Sequence, residues 1–378
     1  MREYTVSTGS KENTFDYIVI GAGPAASTFA REAAEAGFSI LVIDGKSVMG
    51  KKPCGGLLAP DAQKLMAEYD FVLPKTVLVD PQIFSVKTID LSSGIERSYQ
   101  RYYLNMDRDA FDEHLLALVP DNGLRVKGRC VGIEKREDGK RFAVRTKLIG
   151  GETVMFFADN IVGADGASSI VRSTLFDAPM LKYIAIQQWF KNEGTESPYY
   201  SCIFDRETSE GCSWTIHKDG YLIYGGCFER RASREAFEKQ KVRFEAYIGE
   251  KLPEPEFTEA CLVASPRKYR DFVTGSGGVW LIGEAAGFIS ASSLEGISSA
   301  VKSGSMLAGA VKSARSIKDL GQADKAISSK YARSAFKLKL KLLGKVAKHH
   351  IIFSHGLRQL IMKSGIQSIR TMAEKKHE

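Results

Sequence analysis

Three glycine-containing motifs, each preceded by an apolar run, are the parts of this sequence whose residue types and spacing could do chemistry. They read GAGPAA at residues 21–26, GADGASS at 163–169 and GEAAGF at 283–288. Glycines let a backbone turn sharply and approach a phosphate, and carboxylates beside them can accept hydrogen bonds from sugar hydroxyls. The pattern therefore favours a site for a nucleotide-type cofactor.

The first motif has the features of a pyrophosphate-binding turn. Gly21 can make the tight turn and Gly23 can let the backbone approach the phosphates, which would lie at the N-terminus of the following helix. Asp44 ends the next strand, at the distance expected of an acid that accepts from ribose hydroxyls. A purely structural glycine turn is the alternative. The cofactor contacts predicted for this unit are Gly21, Gly23, Pro24, Ala25, Ala26, Asp44, Gly45 and Lys46.

The second and third motifs again place a strand before a glycine turn. Asp165 is positioned to hold one end of the cofactor against the sheet, and Glu284 could accept from cofactor hydroxyls. A helix that starts shortly after the third motif would aim its positive end at the cofactor. The contacts predicted here are Asp165, Gly166, Gly283, Glu284, Gly296 and Ile297.

The three motifs, in this order and at this spacing, resemble the superfamily of flavoprotein monooxygenases and geranylgeranyl reductases, which share the fold of p-hydroxybenzoate hydroxylase. That signature runs from GxGxxG/A through GADG to GD or GE with a glycine loop. The resemblance implies FAD as cofactor in preference to NAD. It also implies that the helix starting near Gly296 points at the N1 and C2 carbonyl region of the flavin.

Further segments resemble the geranylgeranyl reductases in particular. Residues 106–115, MDRDAFDEHL, match an RxxFDxxL helix whose arginine reaches the cofactor, which carries over to Arg108. KPCGGLL at 52–58 matches a CGG loop beside the isoalloxazine, which carries over to Cys54 and Gly55. SWTIHKDGYLIYGG at 213–226 matches a strand that lines the substrate cavity, which carries over to Trp214.

Two of these residues are candidates for a catalytic role, each with a plainer alternative. Cys54 could tune the flavin or donate a proton, but cysteine is also among the residues most often simply buried. Trp214 could wall an apolar cavity, and a core tryptophan is equally compatible with the sequence. His217 could donate a proton, although a lone histidine is usually structural. No metal site is predicted.

The sequence departs from the reductase pattern GDAAGxxxPxxGEGI at three positions. Glu284 replaces aspartate, Ala291 stands at the proline, and Leu294 stands at the first glycine of the loop. A leucine there would crowd the edge of the flavin. Halogenation is improbable, because Cys212 and His217 occupy the positions of the tryptophan and proline of the halogenase WxWxIP motif.

Composition limits the class of protein. The chain has 378 residues, of which 44% are hydrophobic and 26% charged, as in ordinary globular proteins. The six cysteines form no CxxC pair, which favours reduced thiols in a cytoplasmic protein. The net charge of +8 lies mostly beyond residue 330 and no aromatic-and-basic recognition motif accompanies it, so nucleic acid is a poor candidate partner.

These elements predict an α/β fold: a discontinuous Rossmann-like FAD-binding domain, an inserted antiparallel β-sheet domain that faces the substrate, and a helical C-terminus. The βαβ unit begins with a strand at 17–20 and a helix that runs to Gly37. The predicted FAD-binding segments are 14–74, 106–180 and 266–310. The β-rich segments 75–105 and 181–265 form the inserted sheet, and 311–378 form the basic helical region.

The C-terminal region leaves two interpretations open. Arg333, Lys337, Lys341, Lys345 and Lys348 fall on one stripe at helical spacing. Such a helix could lie on the anionic inner face of a membrane and bring a lipid to the cavity. A core helix with a solvated basic face is the slightly favoured alternative.

The function predicted is an FAD-dependent oxidoreductase in which reduced flavin passes hydride to a carbon of an apolar, isoprenoid-type C=C substrate. A hydroxylase that uses O2 is the second hypothesis, since the same fold hosts both. A flavin-bearing lipid-binding protein without turnover is the third. The sequence contains no second nucleotide-binding unit, so the electron donor, NAD(P)H or a ferredoxin-type protein, is not identified.

Overall fold

The computed structural model describes residues 1–4, 13–46, 52–192 and 198–364. The strands of these ranges are β1 (Arg2–Glu3), β2 (Thr14–Ile20), β3 (Ile40–Asp44), β4 (Leu57–Leu58), β5 (Ile83–Asp90), β6 (Ile95–Asn105), β7 (Gly123–Lys135), β8 (Phe142–Leu148), β9 (Thr153–Gly163), β10 (Lys182–Lys191), β11 (Tyr200–Phe204), β12 (Ser213–Lys218), β13 (Tyr221–Phe228), β14 (Phe257–Ala264), β15 (Gly275–Ser276) and β16 (Val279–Leu281). The helices are α1 (Pro24–Glu35), α2 (Pro60–Glu68), α3 (Arg108–Ala117), α4 (Ile170–Leu175), α5 (Ser233–Ile248), α6 (Ile297–Ala314), α7 (Leu320–Phe353) and α8 (His355–Ser364).

The first sheet carries all three glycine motifs at strand ends. Its order is β1-β7-β3-β2-β9-β16-β15, and β8 pairs with β7 and β9. The pairs β1·β7, β7·β3, β3·β2, β2·β9 and β9·β16 are parallel. The central strands are continuous β-branched and aliphatic runs, such as Ile40–Ile43, because both faces of a parallel sheet are covered. The carboxyl ends of β2, β9 and β16 therefore meet at one edge.

The second sheet has the order β14-β10-β13-β12-β11-β5-β6-β4. Its pairs are antiparallel except β11·β5, which is parallel. On one face, Tyr224, Phe228 and Ile186 pack with Phe237 and Phe244 of α5. The other face, which holds Tyr200, Cys202 and Trp214 by strand alternation, is not covered by α5.

The C-terminal helices join the two sheets. On α7, the Tyr331 hydroxyl donates to the Leu281 carbonyl at 2.8 Å, at the end of β16. On α8, Arg358 Nε lies 3.1 Å from a carboxylate oxygen of Asp90, which is fully buried at the end of β5. The last described helices thus contact both the cofactor-type sheet and the inserted sheet.

The predicted fold class is confirmed: both kinds of sheet and the helical C-terminus are present. The segment boundaries remain predictions. The two-residue strand β4 belongs to the second sheet although it lies within the predicted FAD segment 14–74. Part of that segment, 47–51, and the end of the basic region, 365–378, lie outside the described residues.

None of the helices in the described part of the chain combines the length and the apolar character that crossing a membrane requires.

Candidate active site

The turn between β2 and α1 is built so that only glycine fits at its first position. Gly21 has a φ of +109°, and a Cβ there would collide with the carbonyl of Ala164, within the second motif. A Cβ on Gly23 would meet no atom of the described residues within 4 Å. Gly23 is also the N-cap of α1, where no side chain caps the helix. The free N–H groups of α1 and the open space at Gly23 form a cradle for an anion.

The third motif packs directly on the first. A Cβ on Gly283 would lie 2.9 Å from the Cβ of Ala25, and one on Gly304 would lie 2.5 Å from the Ala25 carbonyl oxygen. Ala26 is fully buried. Small residues on both helices therefore let α1 and α6 approach closely.

Asp165 lies at the meeting point of the second and third motifs. One carboxylate oxygen, Oδ2, accepts from the Ile170 N–H at 2.7 Å, whereas Oδ1 is buried and has no hydrogen-bond partner in the part of the chain that the structure describes. Burial raises the pKa of Asp165, against hydrogen bonds from Ser169 and backbone groups that lower it. Gly166 brings the second motif near Glu284, whose Oε2 would lie 3.7 Å from a Cβ at that position. A buried acceptor without a partner is an expected feature of a site that a ligand completes.

Asp44 is engaged by an arginine that the sequence analysis did not identify. The carboxylate is fully buried, and its Oδ2 accepts from Arg125 Nε at 3.0 Å. Its Oδ1 accepts from the Lys46 backbone N–H at 3.0 Å, which keeps Gly45 in a tight turn. The predicted role of Asp44 towards ribose remains a prediction, in which the ribose shares the carboxylate with Arg125.

Asp112 holds two predicted cofactor contacts together. Its carboxylate oxygens lie 2.6 Å from Lys46 Nζ and 3.0 Å from Arg108 Nε. The two cations come from segments 62 residues apart in sequence (108 − 46), and the buried carboxylate fixes both. Arg108 also reaches Cys54, with Nη1 at 3.6 Å from the sulfur.

Cys54 lies in a cationic environment. Its sulfur accepts from the Gly56 N–H at 3.4 Å in addition to Arg108. Burial raises the pKa of Cys54, but Arg108, the Gly56 N–H and Lys218 outweigh it, so the pKa lies below its ordinary value. Burial holds the pKa of each of the other five thiols above its ordinary value. Cys54 is therefore the thiol of the described residues with the environment of a reactive cysteine.

Glu284 ties the CGG loop to the inserted sheet. Its Oε2 lies 2.5 Å from Lys52 Nζ, and its Oε1 accepts from the Ala264 backbone N–H at 2.9 Å. Both oxygens of the predicted ribityl acceptor are thus engaged by the protein. A hydroxyl would have to share one of them.

The two glycines of the CGG loop fit against β12. A Cβ on Gly55 would collide with the Ile216 side chain, and one on Gly56 would collide with Lys218 Nζ and the Met106 carbonyl. Lys218 is buried and donates to the Met106 carbonyl oxygen at 2.6 Å. Its pKa is lowered by burial. The sequence motifs did not single out Lys218. Alternation along β12 places it on the same face as Trp214, and this pattern could have identified it.

Trp214 and Leu294 pack against one hydrophobic cluster, which includes Ala167, Cys227 and Ile289. The predicted cavity wall and the loop after the third motif therefore come together. Leu294 has a φ of +55°, the left-handed conformation that glycine adopts without strain.

His217 falls on the opposite face of β12 from Trp214, because neighbouring residues of a strand alternate. That position disfavours it as a proton donor at this site.

The loop at Leu294 leads into α6 at Ile297, whose N-cap, Gly296, provides no side-chain cap. The positive end of α6 is therefore free, as the sequence predicts.

Arg172 links the second and third motifs. Its guanidinium is buried and donates to three carbonyl oxygens: Ala178 at 2.7 Å, Ala285 at 3.0 Å and Asp271 at 2.9 Å. Burial lowers its pKa. The arginine at the end of the second motif is thus a positioning residue, and two of its partners, Asp271 and Ala285, lie too far along the chain for the motif alone to reveal them.

This geometry defines a class: the chain has the mixed α/β fold of flavin-dependent oxidoreductases and monooxygenases. A geranylgeranyl bacteriochlorophyll reductase-like protein from Thermoplasma acidophilum superposes with a TM-score of 0.79 at 20% identity, covering 95% of this chain and 93% of that one. PqsL from Pseudomonas aeruginosa, a probable FAD-dependent monooxygenase, superposes with a TM-score of 0.65 at 15% identity, covering 93% and 99%.

The chain belongs to the CbrA family. It is 41% identical to protein CbrA of Escherichia coli strain K12 over 364 residues, which cover 94% of this chain and 98% of that protein. No family model matches the chain. The match to CbrA and the superposition on the reductase-like structure confirm the resemblance to the geranylgeranyl reductase-like flavoproteins that was found in the sequence.

The residues present fit an FAD molecule. The open space at Gly23, the uncapped starts of α1 and α6, and the unpartnered Oδ1 of Asp165 are the features that such a cofactor would complete. Gly21, Gly23 and the α1 N–H groups would hold the pyrophosphate, and the first turn of α6 would face the ring system.

Proposed function

We propose that this protein is an FAD-dependent oxidoreductase of the geranylgeranyl reductase-like type, which reduces a C=C bond of an apolar, isoprenoid-type substrate. The observation that carries the proposal is the direct packing of the three motifs on one another around an open cradle at Gly23. Bound flavin would supply the hydride. An external donor, NAD(P)H or a ferredoxin-type protein, would supply the electrons.

The protein's own residues bind the cofactor, orient the substrate and protonate it. The backbone N–H groups of α1 bind anionic phosphates, and the positive end of α6 stabilises negative charge that develops near it. Trp214 and Leu294, packed on one apolar cluster, exclude water from the substrate side. The Cys54 thiol lies between Arg108 and the Gly56 N–H and donates the proton that completes the reduction of the substrate carbon. These two groups stabilise the thiolate that remains, which regains a proton from solvent.

The C-terminal helices supply a surface for peripheral contact with an anionic membrane. Phe336 and Leu340 on α7 are each 49% exposed, and Leu360 on α8 is 68% exposed. Lysines such as Lys337 lie beside them. Exposed large apolar side chains next to cations suit the interface of a bilayer that carries anionic lipids. A lipid substrate would then enter from the bilayer.

The test begins with the purified protein. We expect a yellow protein with non-covalent FAD, identified by its absorption spectrum and by mass spectrometry of the released cofactor. Mass spectrometry of co-purifying ligands should identify an isoprenoid-type lipid. A colourless protein that does not take up added FAD would reject the proposal.

Turnover without oxygen separates the reductase from the hydroxylase that shares this fold. Chemically reduced protein, mixed anaerobically with the co-purified lipid, should reoxidise and yield a product heavier by two hydrogens. Product formation only with O2 would favour hydroxylation. Tight lipid binding with no flavin reoxidation in either condition would favour a binding protein.

A further inference from the structure

Two thiols lie close together where the CGG loop passes beside β14. Cys261 Sγ, on β14, is 3.9 Å from the carbonyl oxygen of Pro53, the residue before Cys54. The peptide bond between Pro53 and Cys54 is trans, so that oxygen lies about 2.8 Å from the Cα of Cys54. The Cys261 sulfur is therefore at most about 6.7 Å from that Cα, and a shift of about 2 Å would bring the two thiols within bonding distance.

The CGG loop is anchored next to β14. Lys52, two residues before Cys54, lies 2.5 Å from Glu284, and the other oxygen of that carboxylate accepts from the Ala264 N–H of β14 at 2.9 Å. Two glycines follow Cys54, and glycine leaves the backbone more conformational freedom than other residues do. The loop is thus held beside β14 at Lys52, while the residues after Cys54 can adjust.

The two thiols differ in the chemistry that their surroundings favour. Burial raises the pKa of Cys54, but Arg108 and the Gly56 N–H, which lie 3.6 Å and 3.4 Å from its sulfur, contribute to an opposing effect that outweighs burial. Burial raises the pKa of Cys261 to about 11, although Lys52 acts in the opposite direction. An oxidant attacks thiolates in preference to thiols. Cys54 is therefore the thiol that is oxidised first, and Cys261 is a neighbouring thiol that can react with the product.

Exposure separates these thiols from the buried ones. Cys54 and Cys261 are partly exposed, and so is Cys202 on β11. The remaining three cysteines, which are Cys130, Cys212 and Cys227, are buried. A small oxidant in solution can thus reach Cys54, and Cys202 provides a comparison of similar exposure.

We propose that Cys54 and Cys261 form a redox switch, in which hydrogen peroxide oxidises Cys54 and Cys261 then closes a disulfide bond with it. In the first step the Cys54 thiolate attacks one peroxide oxygen. The O–O bond breaks, the sulfur becomes a sulfenic acid, and the other oxygen leaves as hydroxide, which solvent protonates. In the second step the Cys261 sulfur bonds to the Cys54 sulfur, the S–O bond breaks, and the hydroxyl group leaves with the Cys261 proton as water.

The switch would turn off the proposed reduction of substrate, because Cys54 in a disulfide has no proton to donate. Two equivalents of an external thiol would restore both cysteines. The oxidant would arise at the same site when reduced flavin reacts with O2 in place of substrate and releases peroxide. In this respect the inference rests on the proposed function, whereas the disulfide chemistry itself requires only peroxide.

The experiment treats the full-length protein with hydrogen peroxide, blocks free thiols with iodoacetamide and digests without reductant. Mass spectrometry should identify a linked pair of peptides that contain Cys54 and Cys261 and that together are lighter by two hydrogens than the free peptides. Cys54 should lose its labelling by iodoacetamide and regain it after dithiothreitol. Flavin reoxidation by substrate should be lost and regained in parallel.

Two variants separate the steps. Cys261→Ser should form no linked pair and should leave Cys54 as a sulfenic acid that dimedone traps. Cys202→Ser is the matched control, because it removes a thiol of similar exposure whose pKa burial raises to about 12. That variant should form the bridge as the unaltered protein does.

A peroxide-treated, unaltered protein without the linked pair, or with Cys54 joined equally to Cys202, would overturn the proposal. So would a sulfenic acid that persists at Cys54 while Cys261 stays free. The peptide map of the unaltered protein decides the matter even where thermal unfolding shows that a variant is misfolded. Flavin content of the same samples tests the proposed function separately: a colourless protein that still forms the bridge contradicts the proposed function and leaves the disulfide chemistry standing.

Discussion

The ammonium group of Lys218 occupies the space that a side chain at Gly56 would need, while it donates to the Met106 carbonyl oxygen at 2.6 Å. The inserted sheet therefore reaches into the CGG loop and determines which residue types that loop can contain. Through this contact the inserted sheet and the cysteine loop form one structural unit.

The cradle at Gly23 gives the first prediction. Gly23→Val should abolish FAD binding, since a branched side chain would fill the open space where the phosphates are proposed to lie. Gly150→Val is the matched control, because a Cβ on Gly150 likewise meets nothing within 4 Å and the residue lies in an exposed turn. Absorption at the flavin band per protein measures the result. Full flavin content in Gly23→Val would reject this assignment of the turn.

The environment of Cys54 gives a prediction about pH. An ordinary cysteine has a pKa of about 8.5. Because the pKa of Cys54 is lowered, its thiolate forms at a lower pH than that of an ordinary cysteine. Iodoacetamide near neutral pH should therefore label Cys54 first, and peptide mass spectrometry identifies the site. Lys218→Met should move the pH dependence of Cys54 labelling to higher pH, because the substitution removes a neighbouring cation.

The control for this experiment is Cys54→Ser. Without the Cys54 thiol, the fast phase of labelling should disappear. Faster labelling of another cysteine would contradict the prediction, since burial raises the pKa of the other five.

The left-handed conformation of Leu294 gives a third prediction. Leu294→Gly removes a side chain that packs beside Trp214 and should widen the range of alkyl ligands that the protein binds, measured across a series of increasing chain width. Ala232→Gly is the control, since Ala232 has a similar φ of +57° at the start of α5. If both variants respond alike, the effect comes from backbone strain and the steric argument fails.

Arg172 gives a prediction about stability. Arg172→Met removes three hydrogen bonds to carbonyl oxygens, two of them buried, and should lower the free energy of unfolding by about 3 kcal/mol. Arg136→Met, which breaks an ion pair to the exposed Asp138, should change it by less than about 1 kcal/mol. Urea unfolding followed by circular dichroism measures both. Equal midpoints for the two variants would show that Arg172 does not link the motifs.

Local patterns predicted much of the fold and part of the site. The strand, turn and helix at Gly21 could be predicted because sequence neighbours form them: the predicted strand at 17–20 lies within β2, and the predicted helix end at Gly37 is two residues beyond α1.

The contacts that the sequence did not predict join residues far apart in the chain. Three kinds of contact depend on how the two sheets and the motifs pack, and no periodicity encodes them: Arg125 on Asp44, Lys218 on the CGG loop, and Arg172 on the Asp271 and Ala285 carbonyls. The engagement of both Glu284 oxygens by Lys52 and Ala264 belongs to the same class.

The pairing of Asp90 with Arg358 has a consequence for biogenesis. Asp90 is fully buried at the end of β5, and its partners His355 and Arg358 emerge from the ribosome more than 260 residues later, since 355 − 90 = 265. Until then the nascent chain holds a carboxylate that cannot be buried without a large cost. The inserted sheet can therefore reach its final state only at the end of translation, and a stop codon just before His355 should yield a chain that chaperones retain or proteases degrade.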